Sequence, residues 1–111
     1  MKFFGNMEEK NNELHIGGVG VERLREKFGT PLYVIDEKYF KDKAQIFLDN
    51  FKSKNFETRV IYASKAFTNL YMANLVSELG LYTDGVSGGE LYTALKGGAN
   101  TQKIYYDGNN K

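Results

Sequence analysis

The chain has no cysteine. A disulfide framework and a thiolate metal site are therefore excluded, and a chain without cysteine fits the cytosol without establishing it. It also lacks an excess of either charge: 15 Lys and Arg stand against 14 Asp and Glu, intermixed along the sequence. That balance argues against a nucleic-acid or anionic-membrane surface built on bulk charge, so neither partner is expected. No apolar run approaches the ~20 residues that span a bilayer. Met1 to Glu9 has no apolar segment of the signal-peptide kind. The single histidine, His15, lies away from the regular βα pattern and is expected at the surface. With these types scarce, no metal site and no catalytic triad can be assembled.

What is present is an ordered alternation of elements in 111 residues, enough for one small domain and a modest core. Residues 1–12 are polar and Asn-rich, which predicts a frayed or disordered terminus. Residues 13–56 read as strand, helix, strand and helix. Glu13–Gly17 is a short strand, and Val21, Leu24 and Phe28 recur at helical spacing before Gly29. Thr30-Pro31 leads into Leu32–Ile35, a strand by β-propensity. Asp36 is a good N-cap for a helix with Phe40, Ala44, Phe47, Leu48 and Phe51 on one face.

From residue 57 to 111 the pattern is regular. Arg59–Ala63, Leu81–Val86 and Lys103–Tyr106 are strands. Between them, helices over Asn69–Leu79 and Gly89–Lys96 end at Gly80 and Gly97. Met72, Leu75, Val76 and Leu79 line the first, and Leu91, Ala94 and Leu95 the second. Such β-α-β-α-β order predicts a parallel sheet of the α/β class. The strand repeat of roughly twenty residues suits a barrel. A (β/α)8 barrel needs roughly 200 residues or more, so about three of its strands are expected here. The sequence stops in a turn directly after a strand, which is read as the front part of a longer protein.

One lysine stands out. The apolar run Val60-Ile61-Tyr62-Ala63 ends at Ser64-Lys65. A lysine at the mouth of a buried strand is a candidate Schiff-base nucleophile, because only the neutral amine attacks an aldehyde and burial favours that form. The alternative is a solvated strand terminus. Asp84, near the end of the next strand, could face Lys65 and hold its nitrogen in the charged form; the residues alone favour an ordinary turn aspartate before Gly85. Ser87-Gly88-Gly89-Glu90 reads as a capping box, Ser87 capping the helix and Glu90 reaching back to the cap amide. Gly17-Gly18-Val19-Gly20 looks like a phosphate loop but has Arg23 where the third glycine belongs, and reads as a turn into a helix.

Four segments, in order, resemble the diaminopimelate decarboxylases of the alanine-racemase-like (fold type III) group of pyridoxal-phosphate enzymes. They are Leu14–Gly18 leading to Phe28–Val34, Tyr62–Phe67, Asp84 through Ser87–Leu91, and Lys103–Lys111. The resemblance implies a pyridoxal 5'-phosphate-binding TIM barrel, with N-terminal elements that join a β-domain outside these residues. It implies that Lys65 is the catalytic lysine joined to the cofactor and that Asp84 is the acidic residue beside it. It further implies decarboxylation of meso-diaminopimelate, a small amino-acid substrate, to L-lysine in a cytoplasmic homodimer. Related decarboxylases acting on arginine or carboxynorspermidine, and non-catalytic pyridoxal-phosphate-binding barrels, are the alternatives. The family's phosphate loop, pyridine-nitrogen partner, ring-stacking histidine and dimer-site cysteine all fall later than Lys111. The 111 residues alone are therefore expected to be inactive.

Overall fold

The computed structural model describes residues 2–108. The chain divides into two compact units, Met1–Ile46 and Phe47–Lys111. The division falls inside a helix rather than at the polar turn near residue 56, where the composition had suggested it.

The first unit holds a three-stranded antiparallel sheet in the order β1 (Met7–Lys10), β2 (Glu13–Ile16) and β3 (Val19–Gly20). Residues 7–10 are thus a paired strand and not a frayed end. Lys10 lies opposite Glu13, so Asn11 and Asn12 form a two-residue hairpin loop, both with positive φ (52° and 65°). That is the geometry of a type I′ turn, which asparagine tolerates better than most residues. The Asn-rich composition that suggested disorder encodes the turn instead. Gly17 and Gly18 form the next such loop, at φ 57° and 81°, with Ile16 opposite Val19. The glycine cluster is a hairpin turn that feeds a helix, as expected.

Helix α1 spans Val21–Phe28 and ends at Gly29. Its first turn is capped from outside, by the Glu13 carboxylate on β2, which accepts from the Glu22 amide at 3.0 Å. Leu32–Ile35 belongs to no strand, and Tyr33 is 94 % exposed. β-Propensity describes fit to a pleated surface, and among the described residues no strand pairs with this segment. Helix α2, Glu37–Asn50, starts under the Asp36 cap, whose Oδ1 accepts from the Tyr39 amide at 2.9 Å. Of its expected apolar face only Ala44 is buried, while Phe47 and Phe51 are more than half exposed.

The second unit is the predicted β-α-β-α-β run. Strands β4 (Ile61–Ala63), β5 (Tyr82–Gly85) and β6 (Ile104–Tyr106) form a parallel sheet in that order. Helix α3, Leu70–Glu78, is capped by Asn69, which accepts from the Met72 amide at 2.8 Å. Helix α4, Gly88–Lys96, is capped by Ser87. Met72, Ala73, Leu75, Val76, Leu81 and Ala94 are the buried apolar residues here. Leu95, expected inward, is 44 % exposed. Gly97 lets the end of α4 close on α3: a Cβ there would collide with the Ala73 side chain and the Asn74 backbone. The helices cover one face of the sheet, where Thr83 and Gly85 are buried. Strand alternation puts Ile61, Ala63, Tyr82, Asp84 and Tyr105 on the other face. No helix covers that face among the described residues.

Candidate active site

The site lies at the C-terminal ends of β4 and β5, the end at which parallel α/β sheets carry their chemistry. Strand β4 stops at Ala63 and passes directly into a single 3₁₀ turn, Ser64–Ala66. Lys65 is the middle residue of that turn and is exposed. It therefore stands at the mouth of the strand, as its spacing predicted, but in the open rather than buried. Ala63 is the parallel partner of Asp84. The register thus brings the lysine turn beside Asp84, although the two are nineteen positions apart in sequence.

Asp84 is half-buried, and its Oδ1 is a buried atom with no hydrogen-bond partner. Leaving a buried acceptor unpaired costs about 1–3 kcal/mol. Such an atom, next to the strand end from which the Lys65 turn leaves, is a place prepared for a donor or a cation. Asp84 also lines a depression of about 510 Å³ on the uncovered face, together with Ile61, Ala63, Tyr105, Tyr106 and Asp107.

The lysine turn is tied down on both sides. Tyr62 Oη donates to the Phe67 carbonyl at 2.5 Å, and partial burial raises the Tyr62 phenol above its ordinary value. Ser64, 3 % exposed, donates from Oγ to the Asp84 carbonyl and lies 3.3 Å from Glu90 Oε1. Glu90 Oε2 accepts from the Val86 amide at 3.0 Å and the Ser87 hydroxyl at 2.9 Å. In return Ser87 Oγ accepts from the Glu90 amide at 3.2 Å. The expected capping box is present in altered form, with Glu90 reaching to the amide before the cap. The Ser87 hydroxyl is the main cause that holds the Glu90 carboxyl below its ordinary range, with the Val86 amide and Ser64 adding to it.

Ser64 and Tyr62 were not singled out from sequence. The available signal was a hydroxyl directly before the candidate lysine, and a tyrosine on the helix-facing side of the same strand. His15 is half-buried in β2, its Nδ1 3.2 Å from the Glu13 carbonyl oxygen, and takes no part in the site. Among the described residues no group of three or more acidic or histidine side chains could hold a metal ion. The expected loop at Asp107–Asn110 is described only as far as Gly108.

Residues 37–111 match the family described as pyridoxal-dependent decarboxylase, pyridoxal binding domain. The chain belongs to this family. Its relatives include the diaminopimelate decarboxylase of Bacillus subtilis (strain 168), 45 % identical over 104 residues, which cover 94 % of this chain and 24 % of that protein. The diaminopimelate decarboxylase of Bacillus methanolicus is 45 % identical over 112 residues, covering 100 % of this chain and 26 % of that one. A crystal structure of diaminopimelate decarboxylase from M. jannaschii in co-complex with L-lysine superposes with a TM-score of 0.85 at 39 % identity. That match covers 93 % of this chain and 25 % of the other. The chain spans about a quarter of the length of the curated relatives it matches. The parallel β4–β6 sheet with α3 and α4 is accordingly part of a pyridoxal-binding α/β barrel.

The residues present fit pyridoxal phosphate. An aldehyde cofactor with a charged nitrogen needs an amine to hold it and an acceptor near that nitrogen. Lys65 would supply the first and Asp84 Oδ1, a buried oxygen without a hydrogen-bond partner, the second.

Proposed function

We propose that these residues form the cofactor-lysine region of a pyridoxal-phosphate-dependent decarboxylase that converts meso-diaminopimelate to L-lysine. The observation that carries the reading is the parallel pairing of Ala63 with Asp84, which sets the Lys65 turn beside an unsatisfied carboxylate oxygen. Lys65 Nζ is the group that would hold the cofactor through its aldehyde carbon and later accept or return a proton. Asp84 Oδ1 would balance positive charge on the nitrogen joined there. When bound, the cofactor supplies an electron-accepting ring for the pair left by departing carbon dioxide. Tyr62 and Ser64 keep the turn that carries Lys65 in one place. Diaminopimelate is favoured as substrate over arginine or carboxynorspermidine because the relatives reported above are named for it at up to 45 % identity. The assembly we propose is a cytoplasmic homodimer, with the first unit joining a β-domain built from residues outside the 111.

The test is chemical. The complete protein is loaded with pyridoxal phosphate and reduced with borohydride, and its peptides are mapped. The pyridoxyl group is expected on Lys65 and is lost in Lys65→Ala. A label confined to any other lysine overturns the assignment. Carbon dioxide release by the complete protein from diaminopimelate, set against release from arginine and carboxynorspermidine, tests the substrate.

A further inference from the structure

Ser64 is the one buried side chain of the turn that carries Lys65. A buried hydroxyl costs stability unless it is paired, and this one is paired with two groups that flank the site. Its single proton lies between two acceptors and is shared by them: the Asp84 carbonyl and, at 3.3 Å, the charged Glu90 Oε1. Glu90 is in turn fixed by the Val86 amide and the Ser87 hydroxyl, at 3.0 and 2.9 Å. The hydroxyl therefore ties three pieces together: the end of β4, the backbone of β5 at Asp84, and the first turn of α4. The residue after it is Lys65. The 3₁₀ turn ends the strict two-residue alternation of the strand, so strand geometry alone no longer sets the direction in which Lys65 leaves the backbone.

We infer that Ser64 and Glu90 are positioning residues for Lys65: their hydrogen-bonded link sets the turn from which the Lys65 amine reaches the Asp84 side of the sheet. The inference rests on the role proposed above for Lys65 and adds the groups through which that role is made specific. Ser64 acts as the hinge pin of the turn. Glu90 acts as the ionised acceptor that keeps the Ser64 hydroxyl from rotating away. Neither group touches the reacting atoms.

The experiment compares Ser64→Thr with Ser64→Val. Both add the same methyl volume at a buried position, so their difference isolates the hydroxyl. Each variant, made in the complete protein, is incubated with pyridoxal phosphate, reduced with borohydride at intervals and mapped for the share of label on Lys65 relative to all other lysines. Thermal midpoints are recorded alongside. Ser64→Thr should keep the Lys65 share close to that of the unsubstituted chain. Ser64→Val should lower it about ten-fold, as expected for losing one hydrogen bond that includes a charged acceptor. A purely structural role would move the midpoint without redistributing the label. Equal Lys65 shares in the Thr and Val variants overturn the inference while leaving Lys65 as the cofactor lysine. If Ser64→Val does not fold, Glu90→Gln decides: a Lys65 share lowered at least three-fold supports the link, and an unchanged share overturns it. Should the unsubstituted chain show no preference for Lys65, the proposed function fails and this inference falls with it.

Discussion

Tyr62 and Phe67 close a loop around Lys65: the phenol of the first donates to the carbonyl of the second at 2.5 Å. The bond spans the 3₁₀ turn and is made from the helix-facing side of β4, opposite to Ala63. A short exposed turn with few apolar contacts would otherwise open easily. The lysine is thus exposed to reagents while its backbone is held.

Tyr62→Phe should loosen that turn and little else. The ring and its packing remain; the Phe67 carbonyl loses its donor. A neutral hydrogen bond contributes about 1 kcal/mol. Amide exchange at residues 65–67 should quicken by roughly five- to ten-fold, while exchange in α3 and α4 stays as it was. Uniform acceleration across the second unit would mean that the phenol supports the whole fold instead of the turn.

Asp84→Ala should separate stability from cofactor retention. The substitution removes a buried oxygen that has no partner in the cofactor-free chain. Denaturation midpoints without cofactor should therefore stay level or rise, by at most about 1 kcal/mol. Retention of pyridoxal phosphate, measured by equilibrium dialysis, should weaken about ten-fold, because the charge on the joined nitrogen loses its counterpart. Equal loss of both would return Asp84 to the role of an ordinary turn residue before Gly85.

Much of the second unit was legible in the sequence because each signal there was local. Asn69, Gly80, Ser87 and Gly97 punctuate the helices where capping chemistry requires. Met72, Leu75 and Val76 fall at helical spacing and are buried. The first unit was harder. Asn11-Asn12 shows polarity to a composition count and a type I′ turn only to a register count. Leu32–Ile35 has strand propensity without a partner among the described residues. The nearness of the turn that carries Lys65 to the end of β5 followed from parallel pairing of strand ends. The Ser64 link did not, because it depends on a side-chain direction inside a turn that ends the strand period.

Glu90 makes the site sensitive to acid, and the sign follows from its partners. Its carboxyl is held below the ordinary value of 4.5, first by the Ser87 hydroxyl and then by the Val86 amide and Ser64. Folding therefore favours the ionised form. The contribution is complete above the unfolded-state value and is lost as pH falls through the lower folded-state value. Exchange protection around Ser64 and Val86 should decline below about pH 4.5 and hold level from there to neutrality. Glu90→Gln should flatten this part of the pH profile. A profile unchanged by the substitution would assign the acid response to other carboxylates.

The isolated 111-residue chain should associate with itself. Its uncovered sheet face carries Ile61 and Tyr105 at 45 % and 39 % exposure, and Phe47, Phe51 and Phe56 are each more than half exposed. Exposed apolar side chains in such number favour contact with partners or other copies. The strand order leaves β4 and β6 with one neighbour each among the described residues, and unpaired strand edges template further pairing. Water can satisfy the edge amides but not the apolar face. Sedimentation should show species larger than a monomer that grow with concentration, and an apolar dye should bind. Near-ultraviolet circular dichroism should be weak if the species are loose compact states. A dye-silent monomer with sharp tertiary signals and a cooperative melt would mean that the second unit closes its own surface, and that its open face is not the inner face of a barrel.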